Sequence, residues 1–108
     1  MEWTSLEKEE QLDQLVQSSS NQPQVIFKHS TRCIISSLAK DRIEKYNHSD
    51  LDFHYLDLIK YRQLSNLIAD KFNVYHQSPQ VLIIKNGECV FDESCGGINI
   101  QDFDAFKN

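Results

Sequence analysis

The sequence predicts an α/β domain: a mixed four-stranded sheet flanked by helices on both faces, with an additional N-terminal helix. Three observations predict it. Two short apolar runs, residues 25–27 and 81–84, read as strands covered on both faces. Segments of helical period separate the earlier strands, and parallel strands require such crossovers. Asn86-Gly87 follows the last apolar run. It is the strongest short-range hairpin signal, and it turns the final strand pair antiparallel.

The elements follow in chain order. Thr4 and Glu7 fit a capping box, with Ser5 as a competing N-cap. Leu6, Leu12, Leu15 and Val16 then recur near helical spacing, to about Gln17. The polar run SSSNQP reads as a loop. After the strand at 25–27, residues 29–32 form a strand-to-helix loop. A second helix spans residues 33–46, with Ile34, Ile35, Leu38, Ile43 and Tyr46 as its apolar face. Beyond NHSD, residues 51–58 alternate Leu51, Phe53 and Tyr55 with Asp52, His54 and Leu56, a strand pattern rich in aromatics. Residues 61–72 form a third helix that turns Leu64, Leu67, Ile68 and Phe72 to the core. Residues 81–84 and 89–91 are the two arms of the hairpin. Gly96-Gly97 breaks the chain, and Asn99 caps a last short helix carrying Ile100, Phe103 and Phe106. One domain, residues 1–108, accounts for everything, and no internal repeat is present.

Composition narrows the function. Hydrophobic residues make up 40% and charged residues 25%, a globular balance. The net charge of -5 and the lack of a basic stripe argue against nucleic-acid binding. The acidic start MEWTSLEKEEQLDQLV has no signal-peptide pattern. No run approaches the roughly 18 apolar residues of a membrane span. A cytoplasmic protein, not bound to a membrane, is the expectation, with a monomer favoured. Cys33, Cys89 and Cys95 are odd in number and form no CxxC, which argues against both a disulfide framework and a zinc site. No metal is expected.

Cys33 carries the chemistry. It lies where a loop meets a helix, and the free N–H groups of a helix N-terminus stabilise a thiolate. Arg32 is the adjacent cation, and Lys28 at the strand end is a second one in reach of the same loop. The competing reading is a buried, inert cysteine. Ser36, three residues on, cannot resolve a mixed disulfide. It is either a hydrogen-bond donor to the Cys33 sulfur or an ordinary helix serine bonded to an upstream carbonyl. His29 and Thr31 line the same loop; His29 either assists proton transfer or faces water. Cys89 reads as core packing in the return strand. Pro79 sits where a strand begins, the position a residue without an N–H tolerates. Tyr75, His76 and Gln77 precede it and shape a groove. Gly96 and Gly97 permit close backbone approach or positive φ.

TRCIIS before a helix, SPQVLIIKNGE, and the CGG segment before the last helix together resemble thioredoxin-fold oxidoreductases. More closely, almost the whole chain is similar to the monothiol bacilliredoxin family. That family's segment looks like TCPIS, so the resemblance implies a reactive thiol at Cys33 and the terminal serine at Ser36. It also implies a cis Ser78-Pro79 bond opposite the thiol, whose backbone pairs with a bound disulfide substrate. Two departures stand out: Arg32 in place of the threonine, and Ile34 in place of the proline that pre-sets the first helical turn.

The reaction implied is removal of bacillithiol, a low-molecular-weight thiol, from capped client proteins through a Cys33 mixed disulfide. Bacillithiol is the co-substrate and no cofactor is bound. Cys95, just before Gly96 and near the proline loop in such a fold, is either an internal resolving thiol or a small loop residue. Two further function classes remain in view. One is a non-catalytic adaptor using the same loops. The other is a monothiol glutaredoxin holding an iron–sulfur cluster with glutathione, against which RCIIS differs from the usual CGFS.

Overall fold

The computed structural model describes residues 2–46 and 50–106. Among the described residues five strands, β1 (Thr4–Ser5), β2 (Gln24–His29), β3 (Asp52–Asp57), β4 (Gln80–Lys85) and β5 (Glu88–Ser94), form one sheet in the order β1-β3-β2-β4-β5. β1, β3 and β2 run parallel, and β4 and β5 are antiparallel additions. Three helices, α1 (Glu9–Ser18), α2 (Ile34–Glu44) and α3 (Arg62–Phe72), connect the strands. Two 3-10 segments, Cys95–Gly97 and Ile100–Ala105, close the chain.

Alternation along the buried central strand β2 divides the core in two. Val25 and Phe27 pack with Ala39 and Ile43 of α2 and with Ile98 and Phe103. Ile26 packs on the other face with Leu12 and Leu15 of α1 and Leu64 and Ile68 of α3. β4 repeats the pattern, Val81 and Ile83 facing one cluster, Leu82 and Ile84 the other. The Asn86-Gly87 turn is a two-residue hairpin, with Lys85 opposite Glu88 and positive φ at both turn residues. The register shifts between Ile83 and Ile84, which pair with Phe91 and Cys89 and leave Val90 as the extra residue of a bulge. Asn99 caps the last segment, its side chain accepting from the Gln101 N–H at 3.0 Å.

The start of the chain differs from expectation. Thr4 and Ser5 do not cap a helix; they pair with His54 and Tyr55 as a fifth, edge strand. Buried Leu6 holds them there, donating its N–H to the Tyr55 carbonyl at 2.8 Å. Trp3 stacks on Phe27 with centroids 5.7 Å apart and donates to Glu44. The helix begins later, where Gln11 Oε1 accepts from the N–H groups of Glu7 and Lys8. α2 differs too. Its buried stripe runs through Ser36, Ala39 and Ile43, so Ile34, Ile35 and Leu38, expected in the core, lie on the other side at 80%, 53% and 52% exposure. Among the described residues no helix is long and apolar enough to cross a membrane. The NHSD linker falls mostly on residues 47–49, which lie outside the described residues.

Candidate active site

Strand register places three loops at one end of the sheet. The last aligned pair of β2 and β4 is Lys28 with Gln80, and Gln80 also pairs with Ser94 of β5. The loop leaving β2, the loop entering β4 and the turn leaving β5 therefore share that end. They carry Cys33, Ser78-Pro79 and Cys95 respectively.

Cys33 is the N-cap of α2, with extended backbone (φ -118, ψ 122). Its carbonyl accepts from the Ser37 N–H at 3.1 Å, and its own N–H closes a turn onto the Ser30 carbonyl at 3.2 Å. The thiol is half-exposed and makes no cap hydrogen bond. It sits where the positive end of the helix meets solvent, a position that favours an anion. Thr31, Arg32, Ile34, Ser37 and Leu38 surround it in a concavity of about 230 Å³. The exposed apolar side chains of α2 thus form the rim of the thiol.

Ser36 takes neither role expected of it. It is fully buried. Its Oγ accepts from the Ser30 N–H at 3.0 Å and lies 2.6 Å from His29 Nδ1. The Ser30 N–H takes one lone pair of the hydroxyl, whose proton is available to Nδ1. His29 does not face water: it is 4% exposed, its ring between Phe27 and Tyr55. Burial pushes its pKa below the usual imidazole value, which suits a neutral ring accepting at Nδ1. The pair ties the end of β2 and the loop to the first turn of α2, beneath the thiol.

Lys28 does not reach the Cys33 loop. Alternation turns it to the opposite face of the sheet, where it is fully buried. Its Nζ donates to the Ser65 carbonyl of α3 at 3.0 Å and approaches His76 Nδ1 at 3.4 Å.

The Ser78-Pro79 peptide is cis. The Pro79 carbonyl accepts from the Cys95 N–H at 3.0 Å, and the Cys95 thiol points at the Ser78 carbonyl at 3.8 Å. Cys95 is exposed and adopts φ 54, in the left-handed region that glycine favours. The positive φ expected of Gly96 or Gly97 thus falls on the cysteine. A Cβ at Gly96 would meet nothing within 4 Å, so no close approach depends on that glycine. Gly96 lines a separate concavity with Arg42, Lys45, Ile98, Asn99 and Ile100. Cys89 packs against the α1–α3 cluster and donates to the Phe91 carbonyl at 3.3 Å, and burial pushes its thiol pKa up.

The structure thus gathers Cys33 with Arg32, and Ser78 and Pro79 with Cys95, at one sheet end. It sets Ser36 behind the thiol and Gly96 beside a different hollow. Sequence reasoning missed the His29–Ser36 bond and the burial of Lys28. The signal for both was the alternation of β2, carried two residues further.

A family model described as "Monothiol bacilliredoxin BrxC" matches residues 4–103. A solved structure described as "A putative oxidoreductase with a thioredoxin fold" is 35% identical, with a TM-score of 0.84, covering 95% of this chain and 91% of that one. A Schistosoma mansoni thioredoxin is 28% identical, with a TM-score of 0.67, covering 98% of this chain and 99% of its own. A Halobacterium salinarum thioredoxin mutant, 14% identical with a TM-score of 0.77 over 99% and 92% of the two chains, shares the fold.

Proposed function

The chain belongs to the monothiol bacilliredoxin family, a thioredoxin-fold group of thiol redox proteins, and from that premise we propose that it removes bacillithiol from S-bacillithiolated proteins through Cys33. The observation that carries the reading is the half-exposed Cys33 thiol at the N-terminus of α2, with a buried serine in place of a second thiol one turn on.

The Cys33 thiolate attacks the bacillithiol sulfur of the capped client. The client–bacillithiol bond breaks, the client leaves as a thiolate, and Cys33 carries bacillithiol as a new disulfide. A free bacillithiol thiolate then attacks the bacillithiol sulfur held on Cys33. Oxidised bacillithiol leaves and the Cys33 thiolate returns, with no bound cofactor. Positive N–H groups at the start of α2 stabilise the attacking and departing anion. Arg32 adds charge at the mouth of the concavity, and Ile34, Ile35 and Leu38 give an apolar surface to the client. Pro79 and Ser78 receive the disulfide. Ser78 Oγ is buried and has no partner among the described residues.

The test is turnover of a bacillithiolated model client with added bacillithiol, read by mass. Release by the wild type and by Cys95→Ser, but not by Cys33→Ser, is the expected result. Equal release by Cys33→Ser would overturn the proposal.

A further inference from the structure

Lys28 is a charged side chain that the thiol chemistry above leaves unused. It is fully buried, and among the described residues no carboxylate is paired with it. A lysine is retained in such a place only if its ammonium is hydrogen-bonded. Here it donates to the Ser65 carbonyl at 3.0 Å and approaches His76 Nδ1 at 3.4 Å, and Ser65 Oγ shares that ring nitrogen at 3.1 Å. An ammonium only donates, so His76 accepts at Nδ1 as a neutral ring. Although the His76 side chain is exposed overall, desolvation of its ring and the neighbouring charges of Lys28 and Arg62 push its pKa down, in keeping with that state.

His76 belongs to the segment that leads into Ser78-Pro79. Two more side chains fasten the same segment: Gln80 donates to the Tyr75 carbonyl at 2.9 Å, and Ser94 Oγ donates to Gln77 Oε1 at 2.6 Å. Gln80 is also the cross-strand partner of Lys28, and its Oε1 is buried without a partner among the described residues. Of these fastenings only the one through Lys28 carries a charge in its hydrogen bond and reaches the C-terminal end of β2, the strand that leads to Cys33.

We propose that Lys28 is a positioning residue: its buried ammonium, anchored on α3, latches His76 and so sets the 76–79 loop in the shape that receives the client disulfide. This rests on the reading of Ser78 and Pro79 as the substrate-binding loop. It goes further in assigning substrate affinity to a residue on the sheet face opposite the thiol. Burial brings the Lys28 pKa down from 10.5 to about 8; above that value the amine keeps N–H donors for both partners, and what the bonds lose is their charge.

The test compares wild type with Lys28→Met, which keeps the chain length and removes charge and donors, and with His76→Phe, which removes the acceptor from the other side. Three readouts are taken: amide hydrogen exchange of residues 74–79, alkylation of Cys33 by iodoacetamide, and the KM and kcat for a bacillithiolated client. Both variants should exchange faster in 74–79 and alkylate Cys33 at the wild-type rate. Their KM should rise about tenfold with little change in kcat, the scale of one charge-assisted hydrogen bond. Unchanged exchange in 74–79 overturns the latch whether or not the protein turns over clients. Faster exchange with an unaltered KM overturns its role in substrate binding. Wild type inactive on capped clients would instead strike the proposed function and leave the exchange readout standing.

Discussion

Replacing Ser36 by alanine removes one oxygen from the interior and leaves two groups without a partner. The Ser30 N–H loses its acceptor at 3.0 Å and His29 Nδ1 loses its hydrogen-bond partner at 2.6 Å. An unsatisfied buried group costs about 1–3 kcal/mol. Ser30 is half-buried and regains part of its loss from water, whereas His29 is 4% exposed and does not. Alanine returns a few tenths of a kcal/mol as the better helix former. The net loss is about 2 kcal/mol, which lowers the urea midpoint by roughly 1 M at an ordinary m-value. The assay is equilibrium urea unfolding at neutral pH, with Ser37→Ala, an exposed neighbour, as control. A Ser36→Ala loss below about 0.5 kcal/mol, the range of an ordinary surface substitution, would refute the reasoning that this serine clamps His29.

Further outcomes follow from the same structure. His29 and His54 are both pushed below 6.5, chiefly by burial, so the folded state binds fewer protons than the unfolded chain at acid pH. Their stabilising effect is complete above about 6.5 and lost as pH falls from there through the lower folded values; urea midpoints across that range should fall, and less steeply in His29→Asn. Lys28 acts at the other end: with a folded pKa of about 8 against 10.5, it makes stability rise with pH across that window, a rise absent from Lys28→Met. Ile34→Ser, at 80% exposure, should change stability by no more than about 0.5 kcal/mol. It should slow reaction with a protein client by about fivefold, the loss of about 1 kcal/mol of apolar contact, and leave reaction with small disulfides unchanged. Phe27→Ala empties the centre of one core cluster and should cost about 3–5 kcal/mol by thermal or urea unfolding.

The architecture was legible where one physical signal dominated locally. Val81 to Ile84 is buried on both faces and reads as such from its composition. Asn86-Gly87 reads as a turn because both residues tolerate positive φ. Cys33 at a helix N-terminus was readable from the loop-to-helix transition. What failed depended on tertiary context. Thr4 and Ser5 have good capping chemistry, but β3 offered an open edge and Leu6 a place in the core, and pairing won. Ile34, Ile35 and Leu38 of α2 look like part of the core face to any count of apolar residues. The true face runs through Ser36, Ala39 and Ile43; the first two are small and let the helix lie close to β2, and Ile43 fills the core. Lys28 looks like a strand-end cation beside the thiol. Its direction follows from alternation, and its burial is supported by a carbonyl of α3, which no local pattern announces.

The central claim is that Cys33 exchanges selectively with bacillithiol. The most direct measurement is intact mass with peptide mapping after adding bacillithiol disulfide or glutathione disulfide to the reduced, folded wild type and to Cys33→Ser. A bacillithiol adduct on Cys33, faster than the glutathione adduct and missing from the serine variant, is the predicted result. A folded, reduced wild type that takes up no bacillithiol at Cys33 would contradict the account and leave the apolar rim of α2 as the surface of a non-catalytic binding module.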